Sequence, residues 1–222
     1  MTSTKSIPTE LHNSSVFYFV NTADSSVRSD LEEWNRVAAE LVNQAPAVSS
    51  DSPLLGRIEA NARLILLIRA NSLVEPESFR GVRDQTGNLQ AGAIVTDISD
   101  YLYVDYIATA PWNITKDLLT AIFRLVSHRY STTQWLSLTD CVAYSSGNRC
   151  KSINGAGTSL MVKLVQESIS KGYSGRIMLE AVSGTTEFYQ RIGFVRTGFG
   201  SDAAPEMELT PIAARDLLRR YS

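Results

Sequence analysis

Apolar residues recur along this chain with periods that switch between helix and strand. VFYFVNT, residues 16–22, is aromatic and β-branched, which predicts a strand. In SDLEEWNRVAAELVNQAP, Leu31, Trp34, Ala38, Leu41 and Val42 share one helical face, Ser29 and Glu32 have capping-box spacing, and Pro46 ends the run. Residues 53–70 predict a second helix, although LILLI by itself also suits a buried strand. FRGVRD, LQAGAIVTDI and YLYVDYIATAP, separated by turns at 85–88 and 99–100, read as an antiparallel meander. Over 115–130, Leu118, Leu119, Ile122, Val126 and Tyr130 line one side of a further helix, and a polar stretch follows to Ser152.

INGAGTSLMVKLVQESISKG then supplies a helix with Leu160, Met161, Leu164, Val165 and Ile169 inward and Lys171-Gly172 as its stop. GRIMLEAV reads as a buried strand and SGTTEFYQRI as a short helix. GFVRTG and PEMELT are two more strands, and Thr210-Pro211 opens a last helix. Residues 1–14 are polar and aperiodic, a flexible tail before a single domain over 15–222.

Composition narrows the function. The 222 residues, 44% hydrophobic and 20% charged, can bury a full core. The most apolar run, Ala62–Ala70, is too short to span a bilayer and carries Arg63 and Arg69, so no membrane association is expected. A net charge of −2 gives no basic surface for nucleic acid. Cys141, Cys150, His12 and His128 form no metal-binding spacing, and without a secretory signal the chain reads as cytoplasmic with reduced thiols.

The chemistry begins at Gly155 and Gly157. Glycine disfavours a helix by roughly 1 kcal/mol relative to alanine, so two at a helix start suggest a close approach to the main chain. One reading is a tight turn packing helix on sheet. The other is an anion site, since the first amides of a helix lack partners and carry partial positive charge. Further on, TTEFYQRIGFVRTG puts Phe188-Tyr189 on a short helix and Gly193-Phe194 at the next strand. Together, Gly155, Gly157, Leu160, Tyr189, Gly193 and Phe194 resemble the GNAT N-acetyltransferase superfamily over roughly residues 15–220. The chain departs from that pattern at Ser152, where the family usually has Gln or Arg, in the long segment 112–151, and in lacking an Asn before the tyrosine helix.

The resemblance implies an α+β fold, layered α/β/α, with a mixed, mostly antiparallel sheet whose two central strands splay. It implies an acetyltransferase that moves an acetyl group from acetyl-CoA to a primary amine of a small molecule or protein by direct attack, without a metal. The pyrophosphate of coenzyme A would lie on the amides of Asn154, Gly155, Ala156, Gly157 and Thr158. A backbone N–H among Ile107, Ala108 and Thr109 would hold the developing oxyanion. Tyr189 would donate a proton to the leaving thiolate, its alternative being a core aromatic. Asp105 and Glu180 are the carboxylates nearest the expected slot, each a candidate base or an ordinary strand-edge charge.

Trp112 and Trp135, in the atypical insertion 112–151, would wall an acceptor pocket, form a dimer contact or cover the sheet. Monomer and homodimer both remain open. The competing reading is a non-catalytic module that binds coenzyme A or another ligand as a sensor. A transferase acting on aminoacyl-tRNA is disfavoured by the absence of a basic stripe.

Overall fold

The computed structural model describes residues 17–44, 53–113, 155–182 and 184–221. The expected 1–14 tail, residues 114–151 of the insertion with the 115–130 helix, Asn154, Trp135 and all four Cys and His lie outside the described residues.

Seven strands form one sheet in the order β1-β2-β3-β4-β5-β7-β6. They are β1 (Tyr18–Val20), β2 (Phe79–Arg83), β3 (Leu89–Ile98), β4 (Tyr101–Thr109), β5 (Ile177–Glu180), β6 (Val195–Gly200) and β7 (Pro205–Leu209). All pairs are antiparallel except β4 with β5. The helices are α1 (Ser25–Gln44), α2 (Pro53–Val74), α3 (Ala156–Ser170), α4 (Thr186–Ile192) and α5 (Pro211–Tyr221). This is the mixed α+β, three-layer architecture expected. Leu160, Met161, Leu164 and Val165 of α3 and Ala214 and Leu217 of α5 bury against Val82, Ala93, Leu102, Ile177, Leu179 and Met207 of the sheet. Leu31, Trp34 and Ala38 of α1 and Ile65 and Ile68 of α2 bury against Phe79, Ile94 and Ala108. Those strand residues alternate with the first set, so the helix pairs cover opposite faces.

Two local expectations are corrected and one alternative is decided. α1 starts at Ser25, because Asp24 accepts the Val27 N–H at 2.9 Å as the true cap. Ser29 is therefore intrahelical, and Glu32 pairs with Arg69 of α2. The second helix is present as expected, and LILLI is helical within α2. Ile169 is exposed, and Ser168 takes the buried position, its Oγ donating to the Arg176 carbonyl at 2.9 Å.

One irregularity shapes the centre of the sheet. Ile94 pairs with Tyr106 but Val95 with Val104, so Asp105 is the extra residue of a β-bulge in β4. The parallel β4–β5 pairing runs from Leu102↔Ile177 to Val104↔Leu179 and stops there, although β4 continues to Thr109. Beyond the bulge the two central strands have no ladder between them, leaving a gap at the C-terminal end of β4.

Candidate functional site

The bulge decides which backbone groups face that gap. Before it, the Leu102 N–H donates to Arg176 just ahead of β5. After it, the Ala110 N–H donates to the Gln90 carbonyl on the β3 side at 3.0 Å. In an antiparallel ladder successive residues point their backbone groups alternately, so Tyr106, Ala108 and Ala110 face β3 while Ile107 and Thr109 face the gap. The Thr109 carbonyl is met there by Asn61 Nδ2 of α2 at 3.3 Å.

α3 opens beside the end of β4. Gly155 is the N-cap, with φ +90° and ψ 0°, a left-handed conformation that disfavours any residue with a Cβ. Ser159 N–H donates to the Gly155 carbonyl at 2.8 Å, the first bond of the helix, and no side chain among the described residues caps the amides ahead of it. A Cβ on Gly157 would lie 3.6 Å from Phe188 Cζ and 3.7 Å from Thr109 Cγ2, both ordinary contacts. Among the described residues, packing therefore does not require glycine there. Gly157 joins the three parts of the site: the α3 mouth, the end of β4 and the helix carrying Tyr189.

Tyr189 is 4% exposed and packs edge-on against Phe188 and Phe194, with ring centroids 5.2 and 5.5 Å away. Burial alone pushes its hydroxyl pKa well above the usual tyrosine value. The hydroxyl makes no hydrogen bond among the described residues. The Gly-Phe pair that comes next has a structural reason. Gly193 turns left-handed at φ +112°, which lets the Phe194 N–H bond the Tyr189 carbonyl at 3.0 Å and close α4.

Asp105 and Glu180 lie on the sheet face that α1 and α2 occupy further along, both exposed. Asp105 accepts the Thr96 hydroxyl at 2.7 Å. Burial first, then the negative charges of Glu180, Asp105 and Glu206, raise the Tyr103 pKa, so both candidate bases act on one patch around that ring. Ile107 and Thr109 reach the gap, whereas Ala108 turns its backbone to β3 and buries its methyl group.

Trp112 is buried in the α1–α2 core, edge-on to Trp34 at 6.2 Å, and its Nε1 donates to Gln90 Oε1 at 3.2 Å. That amide is fully buried, and its Nε2 donates to Asp84 at 2.7 Å. Trp112 thus ties the chain leaving β4 to the β2–β3 hairpin. No group of three His, Cys, Asp or Glu able to hold a metal occurs among the described residues. Nor is any helix among them long and apolar enough to cross a membrane.

Sequence reasoning missed the bulge, Asn61 and Arg57. Arg57 Cγ lies 4.0 Å from where a Cβ of Gly184 would sit, in the turn between β5 and α4.

No protein-family model matches the chain, and no curated protein does. Solved structures do. An N-acetyltransferase of Thermoplasma acidophilum, PaiA, in complex with coenzyme A, is 15% identical over 87% of this chain and 98% of its own, with a TM-score of 0.47. A GNAT-family acetyltransferase of Listeria monocytogenes is 11% identical over 87% and 94%, at 0.43. The ribosomal-protein-S18-alanine N-acetyltransferase of Escherichia coli is 13% identical over 87% and 93%, also at 0.43.

Proposed function

We propose that this protein is an acyl-CoA-dependent N-acyltransferase that carries an acetyl group from acetyl-CoA to a primary amine. The observation that supports it most is the convergence at Gly157. A helix mouth with no side-chain cap among the described residues, the end of a parted pair of strands and Phe188, the ring neighbour of the buried Tyr189 phenol, meet where a side chain would fit but none is present. Acetyl-CoA supplies a thioester carbonyl open to attack by an amine.

Each residue then has a task. The amides of Ala156, Gly157 and Thr158 bind the diphosphate, helped by the partial positive charge of the helix end. Ile107 offers its gap-facing N–H to the carbonyl oxygen on which negative charge develops, which narrows the choice among Ile107, Ala108 and Thr109. Nitrogen bonds to the acetyl carbon and the carbon–sulfur bond breaks. Tyr189, held protonated by burial, gives its proton to the sulfur. The proton lost by the amine goes to Glu180 or Asp105, directly or through water.

A second reading, coenzyme A binding without transfer, draws support from the hydrogen bond that holds Asp105 to Thr96. Calorimetric titration with acetyl-CoA tests what the two share, and saturable binding is expected. Failure to bind overturns both. Thiol release across a panel of primary amines separates them, since binding without release favours the second.

A further inference from the structure

The rim of the slot bears on the acceptor, an inference that rests on the transferase reading. The first half of α2 spans the open end of the slot. Asn61 holds the Thr109 carbonyl at the β4 wall, and Arg57, four residues earlier on the same side of the helix, has its Cγ 4.0 Å from where a Cβ of Gly184 would sit, beyond the end of β5. Arg57 is exposed, and its guanidinium makes no ion pair or hydrogen bond among the described residues. Arg63, Arg191 and Arg215 likewise make no side-chain ion pair or hydrogen bond among the described residues, so what distinguishes Arg57 is its place beside Gly184. Arg69 on the same helix is tied to Glu32, Arg80 to Glu167, Arg83 to Asp30 and Arg176 to Glu208. Among the described residues, nothing neutralises the cation that Arg57 brings to the rim.

The charge on the central strands has the opposite sign. Glu180 is four residues before Gly184, and with Asp105 and Glu206 it makes the field around Tyr103 negative. An acceptor lying between these poles would turn its ammonium toward the carboxylates and an anionic group toward the guanidinium. We propose that Arg57 recognises an anionic group on the acceptor, and that the acceptor class is an amine carrying a carboxylate or phosphate close to its amino group. Arginine suits either, because its fork of N–H donors matches both.

The test uses matched pairs: amino acids against their amides, and phosphoethanolamine against ethanolamine. Thiol release with acetyl-CoA gives kcat/KM, and thermal shift with and without coenzyme A gives binding independently of turnover. Wild type should favour the anionic members by roughly fivefold to tenfold, the order expected of one partly exposed charge contact. Arg57→Gln should bring the ratio near one with the KM for acetyl-CoA unchanged, and Arg57→Lys should keep part of the preference. The carboxylate and phosphate pairs identify which anion is read. Equal or better use of the neutral members, or a ratio unchanged in Arg57→Gln, overturns the proposal. Failure to bind coenzyme A would instead overturn the transferase reading, with the pairwise preference still read by thermal shift of the free protein.

Discussion

At the scale of single residues, Tyr189 carries the clearest physical signature. Its raised pKa comes from burial, with no charge or hydrogen bond responsible. The folded value lies above the unfolded one, so its contribution to stability is complete below about pH 10 and is lost as pH rises from there. The phenol therefore stays protonated throughout the physiological range. Tyr189→Phe keeps the ring between Phe188 and Phe194 and removes an oxygen that has no partner among the described residues. Melting temperature should hold or rise, because losing an unpartnered polar atom removes no hydrogen bond. Turnover should fall by about 10²-fold or more, the range of a lost general acid, while the Kd for coenzyme A stays the same. A wild-type pH–rate profile should show no alkaline fall attributable to this group below about pH 10. Undiminished turnover in Tyr189→Phe removes the acid assignment and leaves a core aromatic.

At the scale of elements, the two glycines of α3 separate a backbone requirement from an open space. Gly155→Ala forces a Cβ into a left-handed conformation, which costs about 1 kcal/mol or more and should lower the melting temperature. Gly157→Ala meets Phe188 and Thr109 only at ordinary contact distance and improves helix propensity by up to about 1 kcal/mol. It should leave the protein as stable or more so, yet weaken coenzyme A, because the added methyl group occupies the approach to the amides. Calorimetry beside thermal melting reads both, and unchanged affinity in Gly157→Ala would mean that the ligand does not come to this mouth. That glycine pattern is legible in the sequence, as are the meander, α3 and the Tyr-then-Gly-Phe motif, because periodicity and turn chemistry are local. The start of α1 is not, because Asp24 and Ser29 both have cap-forming side chains, and only the path of the chain decides between them. α2 is ambiguous because Leu66, Leu73 and Val74 stay exposed while Ile65 and Ile68 are buried, which blurs the period. Asn61 and Arg57 are invisible because their partners, Thr109 and Gly184, are distant in sequence. So is the bulge, since no residue near Asp105 breaks a strand.

At the scale of the whole molecule, the gap between β4 and β5 persists because each side is fastened elsewhere. β4 is held to β3 by its ladder, and beyond its end Trp112 and Asn113 both donate to Gln90, which Asp84 fixes in turn. β5 is held to β7 over its whole length. α3 is anchored near its far end, where Arg80 of β2 grips Glu167 through two 2.7 Å bonds and Lys171 reaches Asp97. Burial alone would raise the Glu167 pKa, but the hydrogen bonds and charge of Arg80 outweigh it and the net shift is downward. This tie should therefore survive well into acid and weaken only as pH falls below the usual glutamate range. A helix fastened at its C-terminal end against a sheet that is open at the opposite end presents its amides to the gap without needing to move. Hydrogen exchange tests that geometry directly. In the free protein the amides of Ile107 and Thr109 should exchange faster than those of Tyr106 and Ala108, whose partners lie on β3. Saturating coenzyme A should slow exchange at Ile107 and at Ala156–Thr158, and leave Tyr106 and Ala108 unaltered. Equal protection along β4 before ligand would mean that the bulge does not turn Ile107 toward the gap, and the oxyanion donor would then have to be sought elsewhere.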